Sequence, residues 1–122
     1  MEELSLLEVF FLFLCGHALG DFALQGDWVA RYKDRHAHDT VTEDQAATAQ
    51  VIWPWLMSAH ALQHGLLVYL VSQNTTLGFL ESIAHWITDF GKCEKWYGFH
   101  FDQFIHIGWK LVWIAALYYE WV

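Results

Sequence analysis

Four pairs of ionisable residues recur at one spacing: His17 and Asp21, His60 and His64, His85 and Asp89, and Asp102 and His106. Residues four apart on a helix share a face one turn apart. Each pair is therefore a two-toothed donor set on a single helical face. Imidazole nitrogen and carboxylate oxygen together suit divalent transition metals. Zinc is the first expectation, with iron or manganese after it, as one ion or two. The metal candidates are His17, Asp21, His60, His64, His85, Asp89, Asp102 and His106. Asp21, Asp89 and Asp102 are also the candidate catalytic carboxylates, because one left uncoordinated serves as a general base. Asp102 has a plainer alternative as the N-cap of its helix. The whole set also has one, as a proton relay or as polar packing.

The elements that must carry these pairs follow from the apolar runs. Residues 4–20 are apolar around nearly the whole circumference, and a first helix is expected over about 4–25. Thr42-Glu-Asp-Gln45 has the form of a capping box, so a second helix should start near 43 and run to about 72. Pro54 should kink it or mark a fresh start. A third helix is expected over about 77–91, stopped at Gly91, and a fourth over about 101–122, with a loop at 92–99. The expected fold is all-α: one domain over residues 1–122, a four-helix bundle with antiparallel neighbours and a polar His/Asp core.

Composition says where such a bundle sits. Of 122 residues, 56% are hydrophobic and only 16% charged, with eight Trp and nine Phe. Soluble domains carry about 25% charged residues, so a transmembrane bundle in a lipid bilayer is the expectation. A net charge of −8 leaves no basic face for nucleic acid. Met1-Glu-Glu lacks the positive region of a cleavable signal, so the first helix is expected to be retained. Arg31, Lys33 and Arg35 lie in the first connection, and Lys92 and Lys95 in the third. By the positive-inside rule these two face the cytoplasm and both termini lie outside. Trp53, Trp55, Tyr118, Tyr119 and Trp121 fall near helix ends, as an aromatic belt would. Cys15 and Cys93 should stay unpaired, and an interior this small favours a homo-oligomer.

Antiparallel order sorts the eight donors by depth. Asp21, His60, Asp89 and Asp102 form a layer nearer the cytoplasm. His17, His64, His85 and His106 form a deeper one, about 6 Å further in, one helical turn. Glu81 and Lys110 continue the stripe one turn deeper still, and should pair. His36 and His38 fall in a polar loop and read as surface residues.

The string His17-Ala-Leu-Gly-Asp21-Phe22-Ala-Leu24-Gln25, with Trp28 and Lys33 downstream, resembles the domain-of-unknown-function 3307 family of bacterial and phage membrane proteins. So do His60-x-x-x-His64, His85-x-x-x-Asp89-x-x-Lys92 and Phe101-Asp102-Gln103-x-x-His106. The resemblance covers nearly the whole chain in order. It implies a small multi-span protein, in a bacterial inner membrane, and defines no activity. It adds Gln25, Lys33, Lys92 and Gln103 as substrate-binding candidates, the two lysines at the cytoplasmic mouth, where an anionic headgroup or phosphate would be held. The expected function is a metal-dependent hydrolase acting on an anionic lipid or phosphate-containing substrate. A di-metal membrane oxidase or hydroxylase, and a non-enzymatic metal or proton binder, are the alternatives. No Ser or Cys adjoins the histidines as an obvious nucleophile, although Ser58 and Ser82 lie within a turn of them.

Overall fold

The computed structural model describes residues 3–122. Among them there are five α-helices and no strand: α1 (Leu6–Ala18), α2 (Asp27–Tyr32), α3 (Glu43–Ser72), α4 (Thr75–Cys93) and α5 (Phe99–Tyr118). A π-helical turn, Leu19–Ala23, extends α1, and a 3₁₀ turn, Ala37–Thr40, follows α2. The four long helices correspond to the four expected ones. The short α2 was not foreseen, because six residues in a charged segment give no apolar period to read.

The helix ends show which local signals act. Ser5 caps α1 with a reciprocal box: its hydroxyl accepts from the Glu8 amide, and the Glu8 carboxylate accepts from the Ser5 amide at 2.8 Å. α3 begins at Glu43, as expected, yet the Thr42 side chain makes no capping bond. The helix runs unbroken through Pro54, so the proline marks no fresh start. The α3–α4 turn is tight. Gln73 adopts a left-handed conformation (φ 54°) and Asn74 Oδ1 caps the Leu77 amide at 3.0 Å, which starts α4 two residues earlier than expected. α4 also continues past Gly91. The helix closes instead where Lys95 turns left-handed (φ 61°) and the Trp96 amide bonds the Gly91 carbonyl at 3.0 Å.

α3 and α4 pack as a close hairpin. A Cβ on Gly65 would stand 2.4 Å from the Gly78 carbonyl oxygen, so the two backbones approach as only small residues permit. Arg35 Nη2 donates to Glu94 Oε2 at 2.8 Å, and His36 Nε2 lies 3.2 Å from the same carboxylate. The guanidinium holds the Glu94 carboxyl below its usual range. This contact places the first and third connections at the same end of the bundle. His36 is exposed and His38 partly so.

The interior has two halves. Away from the Arg35–Glu94 end, Val9, Phe13, Val68, Leu77, Ala84, Trp113 and Ala116 form an apolar core. Towards that end the interior is polar, and Lys110 and Glu81 pair between the halves. The outside is apolar over most of its length. Leu7 (77% exposed), Trp55 (76%) and Phe104 (70%) are typical of it. One segment, Leu6–Ala23, is by itself long and apolar enough to cross a membrane among the described residues. Cys15 and Cys93 are free.

Candidate metal centre

Each long helix delivers its pair to the same place. All eight candidate donors are buried, from His85 and His106, with no accessible surface, to Asp21 at 9%. The four inward faces meet because the i, i+4 stripe is the polar face of α3, α4 and α5, while Leu62, Leu66, Leu70, Phe79, Ile83 and Ile87 turn outward.

α1 contributes differently. Asp21 lies inside the π turn, where the Leu24 amide bonds the Leu19 carbonyl at 2.8 Å, five residues back. Such a turn inserts an extra residue and re-aims what it carries. The Asp21 carboxylate consequently reaches both expected layers. Its Oδ1 lies 2.9 Å from His64 Nε2, 3.2 Å from His60 Nε2 and 3.5 Å from His85 Nε2. Its Oδ2 lies 3.3 Å from His17 Nε2. Depth along the axis therefore does not separate the donors into two independent sets.

Asp89 is the second hub. Its Oδ1 lies 3.1 Å from His106 Nε2, and its Oδ2 lies 3.4 Å from His60 Nε2 and 3.5 Å from His85 Nε2. Three overlapping groups of donor atoms result, each within 4.8 Å: His17, Asp21, His64 and His85; His60, His85 and Asp89; Asp21, Asp102 and His106. The His64 and His85 rings stack at 3.6 Å between centroids, and the Nε2 of each faces Asp21 Oδ1.

These distances have a chemical meaning. Two donors on one tetrahedral zinc at about 2.0–2.1 Å stand roughly 3.3 Å from each other. In the first group the Asp21 carboxylate stands at such distances from all three imidazoles, with Oδ1 2.9 Å from His64 and 3.5 Å from His85 and Oδ2 3.3 Å from His17. His64 Nε2 is the telling atom: it is buried, 2.9 Å from a carboxylate oxygen, and yet makes no hydrogen bond. Buried polar atoms are nearly always satisfied. A buried imidazole nitrogen 2.9 Å from a carboxylate oxygen but off hydrogen-bond geometry is spaced as two ligands of one ion are.

The surrounding residues fix these donors. Gln103 Nε2 donates to Asp21 Oδ2 at 3.0 Å and to Asp102 Oδ2 at 3.2 Å, and Gln103 Oε1 lies 3.0 Å from His17 Nε2. Gln25 donates to the Asp21 carbonyl at 3.2 Å. Both glutamines thus brace the donors. Lys33 departs from its expected place at the mouth: it is 3% exposed and its ammonium bonds Asp89 Oδ2. Lys92 is the half-buried lysine, its Nζ 5.2 Å from the Phe99 ring centroid. Asp102 is no N-cap. α5 starts three residues before it, capped by Gly98, and its side chain is buried with Oδ1 3.4 Å from His106 Nε2. Ser58 and Ser82 line an open apolar groove between α3 and α4. The Ser58 hydroxyl takes the Trp86 indole N–H, and that of Ser82 bonds the Gly78 carbonyl, so both are engaged on the groove side of the helix pair.

Glycine 20 is a site residue the spacing argument overlooked. A Cβ there would stand 2.6 Å from His64 Cε1 and 2.7 Å from Nε2. Only its position between His17 and Asp21 in the string could have signalled it. Replacing Gly20 with Ala should push the His64 ring aside and weaken metal binding by about 10–100-fold, the range for disturbed ligand orientation. Competitive titration against a chromophoric chelator measures this. Unchanged affinity would mean that His64 is not a ligand.

The family model described as "Protein of unknown function (DUF3307)" matches residues 9–121. No curated protein and no solved structure matches the chain.

Proposed function

The chain belongs to the DUF3307 family, and for it we propose an integral membrane metalloprotein, a hydrolase whose metal is held by His17, Asp21, His64 and His85. The observation that carries this reading is the His64 nitrogen, buried against a carboxylate without a hydrogen bond, in a four-residue group of the right donors. Zinc suits three imidazoles and one carboxylate.

The inverted interior supports the membrane setting. Twelve polar or charged residues are buried, whereas outward faces carry Leu, Ile, Val, Phe and Trp. In water such a distribution wastes the hydrophobic effect. In lipid it is the economical one. α4 and α5, with 19 and 20 residues, are about 30 Å long, matching a bilayer core. α3, α4 and α5 are not conspicuously apolar along the sequence because His60, His64, Glu81, His85, Asp89, Asp102, His106 and Lys110 lower the sum, although all eight are buried in the interior. Exposed Trp28 and Trp96 at one end, and Tyr118, Tyr119 and Trp121 at the other, suit two interfacial belts. Arg31, Lys33, Arg35, Lys92 and Lys95 share the first end, which supports reading it as the cytoplasmic side of a bacterial inner membrane by the positive-inside rule.

Zinc held there would lower the pKa of a water to near neutrality. Asp102 is the residue that would accept the proton of that water, since Asp102 Oδ1 is buried without a hydrogen-bond partner and Asp102 lies outside the four-residue group. The donors with most access to the outside are His17 and Asp21, at the seam of α1 and α5 where Gln25, Gln103 and Phe99 sit. Lys92, beside Phe99, would hold an anionic headgroup there.

Metal analysis of detergent-purified protein, paired with hydrolysis of phosphatidylglycerol vesicles, tests the proposal. At least about one zinc per chain is expected. Lys92→Ala should keep the metal and slow turnover by about 10–100-fold, the worth of one charge-assisted hydrogen bond. Iron in place of zinc would move the reading to oxidase chemistry. Protein free of any transition metal would overturn it.

A further inference from the structure

Lysine 33 has an unusual position. It caps the C-terminal end of the short α2, in a connection, yet it is nearly as buried as the histidines. Lysines are almost never fully buried unless paired. Its partner is Asp89 Oδ2, the oxygen that also faces His60 Nε2 at 3.4 Å and His85 Nε2 at 3.5 Å. Those three residues are the second group of donor atoms. The ammonium is therefore bonded to one member of a potential metal site, at the oxygen that the other two also face.

We infer that the Lys33 ammonium takes the place of a second metal ion, so that the resting centre holds one ion and Lys33 fixes that number. The inference rests on the metal reading above.

Charge balance supports it. Asp21, Asp89 and Asp102 are buried together, and Lys33 is the cation among them, because Lys110 is already committed to Glu81. With the three ligand imidazoles neutral, as ligation requires, the centre carries at most two negative charges, because His106, 3.1 Å from Asp89 Oδ1 and 3.4 Å from Asp102 Oδ1, is not among the four ligands and is free to keep a proton. One divalent ion is enough to neutralise it. A second would leave at least a double positive charge uncompensated in a medium of low dielectric constant, which is strongly unfavourable. Donor count agrees. His85 offers one nitrogen, Nε2, to both the first and second groups, so an ion in the first group leaves the second with His60 and Asp89. Lys33 satisfies that remainder with a charge and a hydrogen bond.

The lysine comes from a connection rather than from the bundle's long helices, so its removal should leave the four pairs in place. Removing its charge should admit a second ion between His60 and Asp89. The test is metal content after saturation with zinc and desalting in detergent. Wild-type protein should hold about one equivalent, Lys33→Met about two, and Lys33→Arg about one. Lys33→Gln serves if the methionine variant does not fold. One equivalent in a folded, uncharged variant overturns the inference, and points to Lys33 as a substrate contact if turnover is lost as well. Two equivalents in the wild type also overturn it and need no variant, while leaving the metalloprotein reading intact. Wild-type protein without metal overturns both.

Discussion

Replacing His64 with Ala should leave the protein folded and without its metal. The fold should survive because the substituted ring lies in the polar half of the interior, and the apolar core at the other end does not include it. The metal should be lost because His64 Nε2 is the donor with no other role: it is buried, unbonded and 2.9 Å from Asp21 Oδ1. Even partners that merely orient a ligand are worth about 10–100-fold in affinity, so deleting a ligand should cost more than about 100-fold. His85→Ala should do the same and remove in addition the nitrogen that faces both aspartate hubs. The controls are His36→Ala and His100→Ala, at exposed positions, which should keep full metal content. Metal analysis with circular dichroism separates loss of ligand from loss of fold. If metal survives loss of both His64 and His85, the ligand set is wrong.

Much of this site could be read from spacing, because a helix converts a four-residue interval into a shared face without further information. The Glu81–Lys110 contact was legible for the same reason: both residues continue a stripe already defined by their neighbours. Three features were not. The π turn at Leu19–Ala23 alters the helical count where Asp21 sits, and no residue type specifies a π turn. It turned two expected layers into one connected cluster. Lys33 reads from sequence as a loop cation at a membrane surface, and only the path of α2 carries it inside. The beginning of α5 was placed two residues late, at about 101 where the apolar run resumes, and Asp102 by type kept a plainer role as its N-cap. The backbone instead begins the helix after Gly98, which frees the aspartate for the interior. In each case local propensity was overridden by how the chain packs.

Loss of Lys110 should be strongly damaging to stability. Its ammonium bonds Glu81, whose other oxygen accepts the Trp113 indole N–H at 2.5 Å, and all three residues are buried. Lys110→Met leaves the Glu81 carboxylate buried without its counter-charge, and removing one partner of such a pair typically costs about 3–5 kcal/mol. Replacing both, as Glu81→Leu with Lys110→Met, removes the stranded charge and should recover most of that loss. Metal affinity should not recover with it. An ion at His85 Nε2 leaves the ring proton on Nδ1, and the carboxylate facing that nitrogen is Glu81, 3.6 Å away. Nδ1 makes no hydrogen bond at that distance, but Glu81 is the carboxylate beside it, and without that charge the ring loses what favours its Nδ1-protonated form, so affinity should stay about 10–100-fold low. Thermal unfolding in detergent, followed with and without zinc, reads both effects on the same samples. A double variant that regains stability but not affinity assigns Glu81 to positioning His85. One that regains both reduces the pair to charge neutralisation. A Lys110→Met protein as stable as wild type would show that the pair is hydrated, and with it the inward-facing polar stripe that the membrane reading depends on.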